Sequence, residues 1–325
     1  MSNSTTPPPS PRGFEKVFHP VGFRKGYNFI LWFIFAGALL GFTLARLPYL
    51  NFDGIFCGPL GSQPENLQTA PGECYYYRGG HGRIGIMLHL ATVLPAAFLV
   101  CFQFVPIIRY KLLLFHRING HVIILLSLVS TAGAFMIMRH AFGGEPETQI
   151  YLALTGGMFL VALGLAYYNI KRLRIAQHRA WMLRAWFYAG TIISLRLIMM
   201  AAAKIISIRG GGGYYSARPC AQIDDVFGHI KEYTLFFYPA CEAWYRDATE
   251  TMVVVKADRG GNPMEIAVAL DIFFGSSGML ALLLHGVGVE LYLLLTSAED
   301  THLRNVSLQR RVEKGMGNAG SDESS

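Results

Sequence analysis

The chain has 325 residues, of which 52% are hydrophobic and 15% charged, with a formal net charge of +7 and a mean hydropathy of +0.35. Soluble domains carry about a quarter of their residues as charges, so the composition argues against a soluble globular fold. The surplus of positive charge is split among separate loops, which argues against a nucleic-acid partner and for the lipid bilayer.

Residues 1–26 open with MSNSTTPPPSPR, a Pro/Ser/Thr-rich stretch that cannot build a core and is expected to form a disordered cytosolic tail. The first apolar run, Tyr27 to Leu47 within segment 27–48, is too long for a cleavable signal and reads as a signal anchor. Five more runs follow: Ile84–Ile108, Ile118–Met138, Ile150–Ile170, Met182–Ile206 and Asp271–Leu295. About 20 apolar residues suffice for a helix to cross the hydrocarbon core. In lipid each run must be helical, because no water is present to satisfy a free amide. One such run could be a core helix of a soluble protein, but six with so little charge between them predict a membrane bundle.

The expected fold class is therefore all-α, a polytopic membrane helix bundle with six transmembrane helices. A histidine-rich four-helix core is expected over residues 80–208 and an extracytoplasmic loop or cap over 209–270. The sixth transmembrane helix is placed in 271–297, and a second disordered cytosolic tail in 298–325. In the cap, RGGGGYYSARPC reads as flexible, and the aromatic segment from Ile223 to Asp247 as a small helical cap or an interfacial element.

Arg12, Lys16, Arg24 and Lys25 precede the first run, and Arg109, Lys111 and Arg117 lie between the second and third. Lys171, Arg172, Arg174, Arg179 and Arg184 surround the fourth-to-fifth turn, while Arg304, Arg310, Arg311 and Lys314 follow the sixth run. These are alternate loops. The others hold Asp53, Glu65, Glu73, Glu145, Glu147, Asp224, Asp225 and Glu242. The positive-inside rule then puts both termini in the cytosol of a multi-pass protein. Of five cysteines, Cys57, Cys74, Cys220 and Cys241 fall in loops assigned to the outside, and Cys101 in the second run. Disulfides persist in oxidising compartments. Two bridges are expected, and Cys57–Cys74 with Cys220–Cys241 is the simplest of the possible pairings.

Ionisable groups inside a membrane are costly and point to function by default. An outer layer holds His81, His89, Arg139, His140, Arg196 and Asp271. An inner layer holds Gln103, His116, Arg117, His121, His178, Arg179, Arg184 and Glu290, with His285 near the middle. His81, Gly85 and His89 recur at steps of four, a stripe with a glycine notch where a planar cofactor could lie. A glycine in a bundle equally serves helix packing. Taken singly, His81, His116, His140 and His178 read as interfacial anchors. His89, Arg196 and Glu290 lie deeper, and Arg196 requires a partner: Asp271, a bound anion or a cofactor carboxylate. The chain carries no phosphate-binding loop, HExxH, nucleophile elbow or CxxC motif.

HGRIG, FHRINGH and QHRAWMLRAW ending in ISLRL resemble the uncharacterised predicted-membrane-protein family filed as domain of unknown function 2306, in a fungal-type form. The matching positions are His81, His116, Arg117, Gly120, His178, Trp181, Met182, Arg184 and Arg196, within about Gly80 to Ile208. The resemblance implies a topology and little chemistry. By analogy with membrane b-type cytochromes, a histidine-rich bundle could hold haem b for exchange with a redox partner. His81 or His89 would pair with His140, and His116 or His121 with His178; Arg139, Arg184 and Arg196 would hold propionates. A second class is a membrane-embedded enzyme, an isoprenoid cyclase, isomerase or hydrolase acting on a lipophilic small molecule in fungal specialised metabolism. Arg196, Asp271, His285 and Glu290 are its candidate catalytic residues. A third is a non-enzymatic transporter or assembly factor.

Overall fold

The computed structural model describes residues 13, 15–23, 25–58, 69–208, 213–247 and 250–315. The expected flexibility of residues 1–12, of glycines 210–212 and of residues 316–325 lies outside the described residues. In chain order the helices are α1 (Glu15–Phe18), α2 (Gly26–Arg46), α3 (Glu73–Tyr77), α4 (Gly80–Gln103), α5 (Pro106–Lys111), α6 (Leu113–Ile137) and α7 (Pro146–Lys171). They continue with α8 (Ile175–Ala189) and α9 (Thr191–Ile206). Strand β1 (Tyr215–Pro219), α10 (Cys220–Val226), α11 (Lys231–Phe237), α12 (Glu242–Asp247) and strand β2 (Met252–Lys256) follow, then α13 (Pro263–Leu295) and α14 (Ser297–Glu313).

Six segments are long and apolar enough to cross a membrane: Gly26–Leu50, Gly80–Gln103, Leu113–Ile137, Pro146–Lys171, Ile175–Ile206 and Pro263–Leu295. The protein is thus a helical membrane protein with six candidate spans.

The chain divides into two compact units, one of residues 1–47 with 90–130, the other of residues 48–89 with 131–325. In the first unit, polar groups fasten helix to helix. The Asn119 amide donates to the Leu99 carbonyl (3.2 Å) and Gln103 Nε2 to the His116 carbonyl (3.0 Å). Such side chain-to-backbone bonds hold apolar helices together where lipid supplies no hydrophobic drive. Aromatic contacts of Phe23 with Phe29 and Trp32 pack the entry to α2.

In the second unit α13 packs against α7, α8 and α9, and α7 against α8. Two glycines set how closely α13 and α7 approach. A Cβ on Gly275 would lie 2.4 Å from the Glu147 carbonyl carbon, and one on Gly278 2.6 Å from the Tyr151 ring. Around this contact Tyr151, Leu195, Met199, Phe274 and Ala281 are buried together.

The structure corrects several expectations. The sixth helix begins at Pro263, not near Asp271, because Asn262 and Glu265 form a reciprocal capping box. Asp271 is therefore eight residues inside the helix, about 12 Å from its start at ~1.5 Å per residue. The fifth span is not one helix: α8 and α9 meet at a break on Gly190. Residues 297–313 form a helix where a disordered tail was expected. The α14 helix docks on α8 through Ser307 Oγ, which accepts the Ile175 N–H (2.9 Å), and through the Arg179–Glu299 ion pair (3.2 Å).

The 209–270 region holds short helices, as expected of a cap, and also β1 and β2, which pair antiparallel from Tyr215↔Lys256 to Pro219↔Met252. Cys220, Ile223, Cys241, Val255, Met264 and Val268 form its buried core. The disulfides are Cys57–Cys74 and Cys220–Cys241, and Cys101 is free and buried.

Candidate functional site

A concentration of buried charge in the second unit lies where α3, the 141–144 turn, α9, β1 and α13 converge. Glu73, Arg218 and Asp271 are 5%, 4% and 3% exposed. Groups of this kind stay charged in an interior only when paired or hydrogen-bonded. Arg218 bridges Asp271 Oδ2 at 3.0 Å, reaches Glu145 at 3.6 Å and donates to the Gly143 carbonyl at 3.4 Å. Glu145 in turn accepts from Ser216 Oγ (2.9 Å). Asp271 Oδ1 and Arg218 Nε have no hydrogen-bond partner among the described residues.

Glu73 is placed by the disulfide at its neighbour Cys74. Its Oε1 accepts the Phe142 amide N–H at 2.8 Å and its Oε2 the Tyr77 hydroxyl at 3.1 Å. Burial raises its pKa to about 7, against the opposing pull of those two hydrogen bonds and of Arg196 and Arg218. Its carboxyl is therefore poised between acid and base at neutral pH. The Tyr77 and Tyr76 phenols are both pushed up, mainly by burial.

Phe142 adopts φ +47, in the left-handed region, ahead of two positive-φ glycines, Gly143 and Gly144. Such a conformation is uncommon for a bulky residue and clusters at sites where the surroundings over-determine it. Here it turns the Phe142 amide to Glu73 and lays the ring on Phe274, with centroids 4.0 Å apart and planes 11° apart. The Arg196 guanidinium caps the pair at 4.3 Å from the Phe142 ring and 5.5 Å from Phe274, a cation–π arrangement. Beneath it, the Tyr151 hydroxyl bonds to Thr191 Oγ1 (2.9 Å).

Of the residues singled out from sequence, Asp271 and Arg196 belong to this cluster. Asp271 pairs with Arg218, however, and Arg196 sits on aromatic rings within electrostatic reach of Glu73. Glu290 and Arg184 form a two-pronged ion pair (2.6 and 2.9 Å), with Trp181 stacked under the guanidinium at 4.6 Å. His285 lies at the break in the fifth span. Its Nδ1 contacts the Phe187 carbonyl (2.7 Å) and its Nε2 Ser194 Oγ (2.8 Å). Both ring nitrogens are used, which suits a group that steadies a broken helix.

The histidines considered as haem ligands fall in both units. His116 and His121 fall in the first unit and the others in the second. Gly85 does not leave a notch for a cofactor: a Cβ there would lie 2.7 Å from Ile137 and 2.9 Å from Met136 of α6. His89 follows on the same helix, where its backbone N would meet a Cβ on Gly133 at 2.7 Å. His81 is exposed at the start of α4. His140 stacks on Tyr76 (4.5 Å), and burial together with Arg139 lowers its pKa. His121 Nδ1 contacts the Arg117 carbonyl (2.7 Å), and His178 Nδ1 the Ala166 carbonyl (2.9 Å). Among the described residues no group of three or more His, Cys, Asp or Glu side chains converges as a metal site.

Glu73, Tyr77, Phe142, Arg218 and Ser194 were not picked out from sequence. Two signals were local: FGG sets a bulky residue before two glycines, and Glu73 adjoins a cysteine. Arg218 carried no such signal, since only strand pairing directs it inward.

A six-span helical membrane protein with a buried carboxylate–arginine cluster under a disulfide-braced cap is the class defined by fold and site. Residues 86–212 match the model of the family described as "Predicted membrane protein (DUF2306)". The matched stretch includes His116, Arg117, Gly120, His178, Trp181, Met182, Arg184 and Arg196, which carried the resemblance in the sequence; His81 precedes it. A curated relative, "Ava biosynthesis cluster protein G" of Aspergillus versicolor, is 24% identical over 335 residues, covering 89% of this chain and 94% of its own. That source agrees with the fungal-type character of the motifs. No solved structure matches.

Proposed function

We propose that the protein is a membrane-embedded enzyme of fungal specialised metabolism that acts on a lipophilic substrate by proton transfer, with Glu73 as the acid–base group. The observation that carries this is the Glu73 carboxyl itself: buried, poised near pH 7 and beside the Arg196–Phe142–Phe274 stack. A neutral Glu73 gives its proton to an alkene carbon or an oxygen of the substrate, starting an isomerisation or cyclisation. Arg196 stabilises the new carboxylate, and the Phe142–Phe274 stack on which it sits holds its guanidinium in place. Loss of a proton from the product side back to Glu73 closes the cycle, with no net redox change. The word "biosynthesis" in the relative's name supports a metabolic setting and names no reaction.

The test is a metabolite comparison in the source organism, in which the native gene is replaced by Glu73→Gln or Arg196→Lys. Loss of one product by Glu73→Gln, with the protein still in the membrane at wild-type amount, is the expected result. An unchanged product profile would refute the proposal.

One observation favours a second reading. His178 Nδ1 contacts the Ala166 carbonyl at 2.9 Å, a hydrogen bond of the kind that fixes the ring of a metal-binding imidazole. A stoichiometric b-type reduced-minus-oxidised spectrum that disappears in His178→Ala would favour haem, and a colourless protein would end it. For topology we infer that the cap is extracytoplasmic and both termini cytosolic. Both disulfides lie in cap-side loops, and the basic clusters occupy the alternate loops.

A further inference from the structure

A second feature lies where the fifth span ends, apart from the buried cluster. Lys204 is in the last turn of α9, and Arg259 is in the turn between β2 and α13. Together with Ser207, Ile208 and Gly260 they line an open cleft of about 510 Å³. The floor is built by hydrogen bonds: the Arg259 amide donates to Ser207 Oγ at 2.7 Å, and that hydroxyl donates to the Ala203 carbonyl at 2.7 Å. The nearest carboxylate along the chain, Asp258, is already engaged. It pairs with Lys256 at 3.4 Å and accepts the Gly260 N–H at 2.9 Å. Among the described residues neither Lys204 nor Arg259 forms an ion pair, so the cleft presents two cations and no free anion.

A lysine in the last turn of a helix complements the helix dipole, and that alone would explain Lys204. It does not explain Arg259, which arrives from a different element onto the same cleft. Two apolar side chains flank the cations: Ile205 and Ile208 are 66% and 61% exposed at the end of the candidate span. We infer that this cleft binds the phosphate of an anionic phospholipid headgroup, with Lys204 and Arg259 on the phosphate and Ile205 and Ile208 against the upper acyl chain. The shared chemistry is a phosphate anion. The lipid source is favoured over a free phosphate by the adjoining apolar surface at the end of the candidate span. Arginine forks a phosphate with two parallel donors, and lysine adds a point charge.

The experiment uses the full chain purified in a mild uncharged detergent. Thermal unfolding is followed with added phosphatidylglycerol, with phosphatidylcholine and with inorganic phosphate, for wild type and for Lys204→Gln/Arg259→Gln. Phosphatidylglycerol is expected to raise the melting temperature of wild type by several degrees, with half-saturation about tenfold weaker in the double variant. Phosphatidylcholine and inorganic phosphate should do little to either. Equal phosphatidylglycerol responses in both proteins would overturn the site. An equal response to inorganic phosphate would overturn the lipid source, and an equal response to phosphatidylcholine would overturn the requirement for net negative charge. If the double variant does not fold, Lys204→Arg/Arg259→Lys keeps the charge but moves the donors. An unaltered half-saturation there would reduce the site to unspecific charge and reject the assigned headgroup contacts.

Discussion

Replacing Glu73 by Gln should change the pH dependence of stability between acid and neutral pH. The carboxyl has an ordinary value of 4.5 and is held at about 7 in the folded chain. Between those values the folded state keeps its proton and the unfolded chain releases it, so the unfolded state binds fewer protons and stability falls as pH rises. Below pH 4.5 both states are protonated and the penalty is absent; above about 7 both are ionised and it is complete. The rise from 4.5 to about 7 corresponds to roughly 3 to 4 kcal/mol.

Glutamine keeps the shape and serves both neighbours. Its carbonyl accepts the Phe142 N–H, and its amide donates to a turned Tyr77 hydroxyl. The variant should match wild type at pH 4.5 and exceed it by about 3 kcal/mol at pH 8, several degrees in melting temperature. Intrinsic fluorescence melts in mild detergent at half-unit steps between those limits would measure the difference. If the wild-type-minus-variant gap stays flat across the window, Glu73 is not held near neutral and loses its claim as the acid–base group. A gain in stability together with loss of product would be a site keeping strain for function.

Arg218→Met strands Asp271, buried at 3% exposure, and should cost about 3–5 kcal/mol. Arg218→Met/Asp271→Asn should recover most of it in thermal melts, and a single-variant loss under about 1 kcal/mol would contradict the pairing. Gly278→Val drives a side chain into the Tyr151 ring, whereas Gly157 has nothing within 4 Å of its added Cβ. Gly278→Val should therefore abolish a folded peak in detergent gel filtration and Gly157→Ala leave it intact. Removing the Cys220–Cys241 bridge, whose cysteines are 21 positions apart, should lower cap stability by about 3 kcal/mol from loop-closure entropy. Thiol labelling before and after reduction should count four bridged cysteines and one free.

The spans were legible because bilayer thickness imposes a length and an apolar composition that survive any detail of packing. The disulfide pairs were legible because the cysteines sit two to a loop. Helix ends were less so. Hydropathy stops at Asp271, while the capping box of Asn262 and Glu265 carries the helix back to Pro263. The Gly190 break in the fifth span was hidden because a glycine amid apolar residues reads equally as packing. The surroundings of Arg196 were left open for a different reason. Depth along a helix places residues in a layer, but it does not choose between Asp271 and an aromatic pair in that layer. A remote strand supplies Arg218, which takes Asp271, and the 141–144 turn supplies the Phe142 ring. The α14 helix was missed because its composition is polar, and only docking on α8 gives its buried Leu303 and Ser307 a place.

The sequence by itself determined that the chain is a helical membrane protein, which six apolar stretches are its candidate spans, and which loops hold disulfides and basic charge. These are local properties, set by the transfer energy of each segment and by the position of each charge along the chain. Only the tertiary structure decided which buried groups meet: Glu73 with the Phe142 amide and Tyr77, Asp271 with Arg218, and Arg196 with two aromatic rings. The Glu73–Phe142 bond alone joins residues 69 positions apart. The energies of these encounters depend on burial and geometry, which no local pattern encodes.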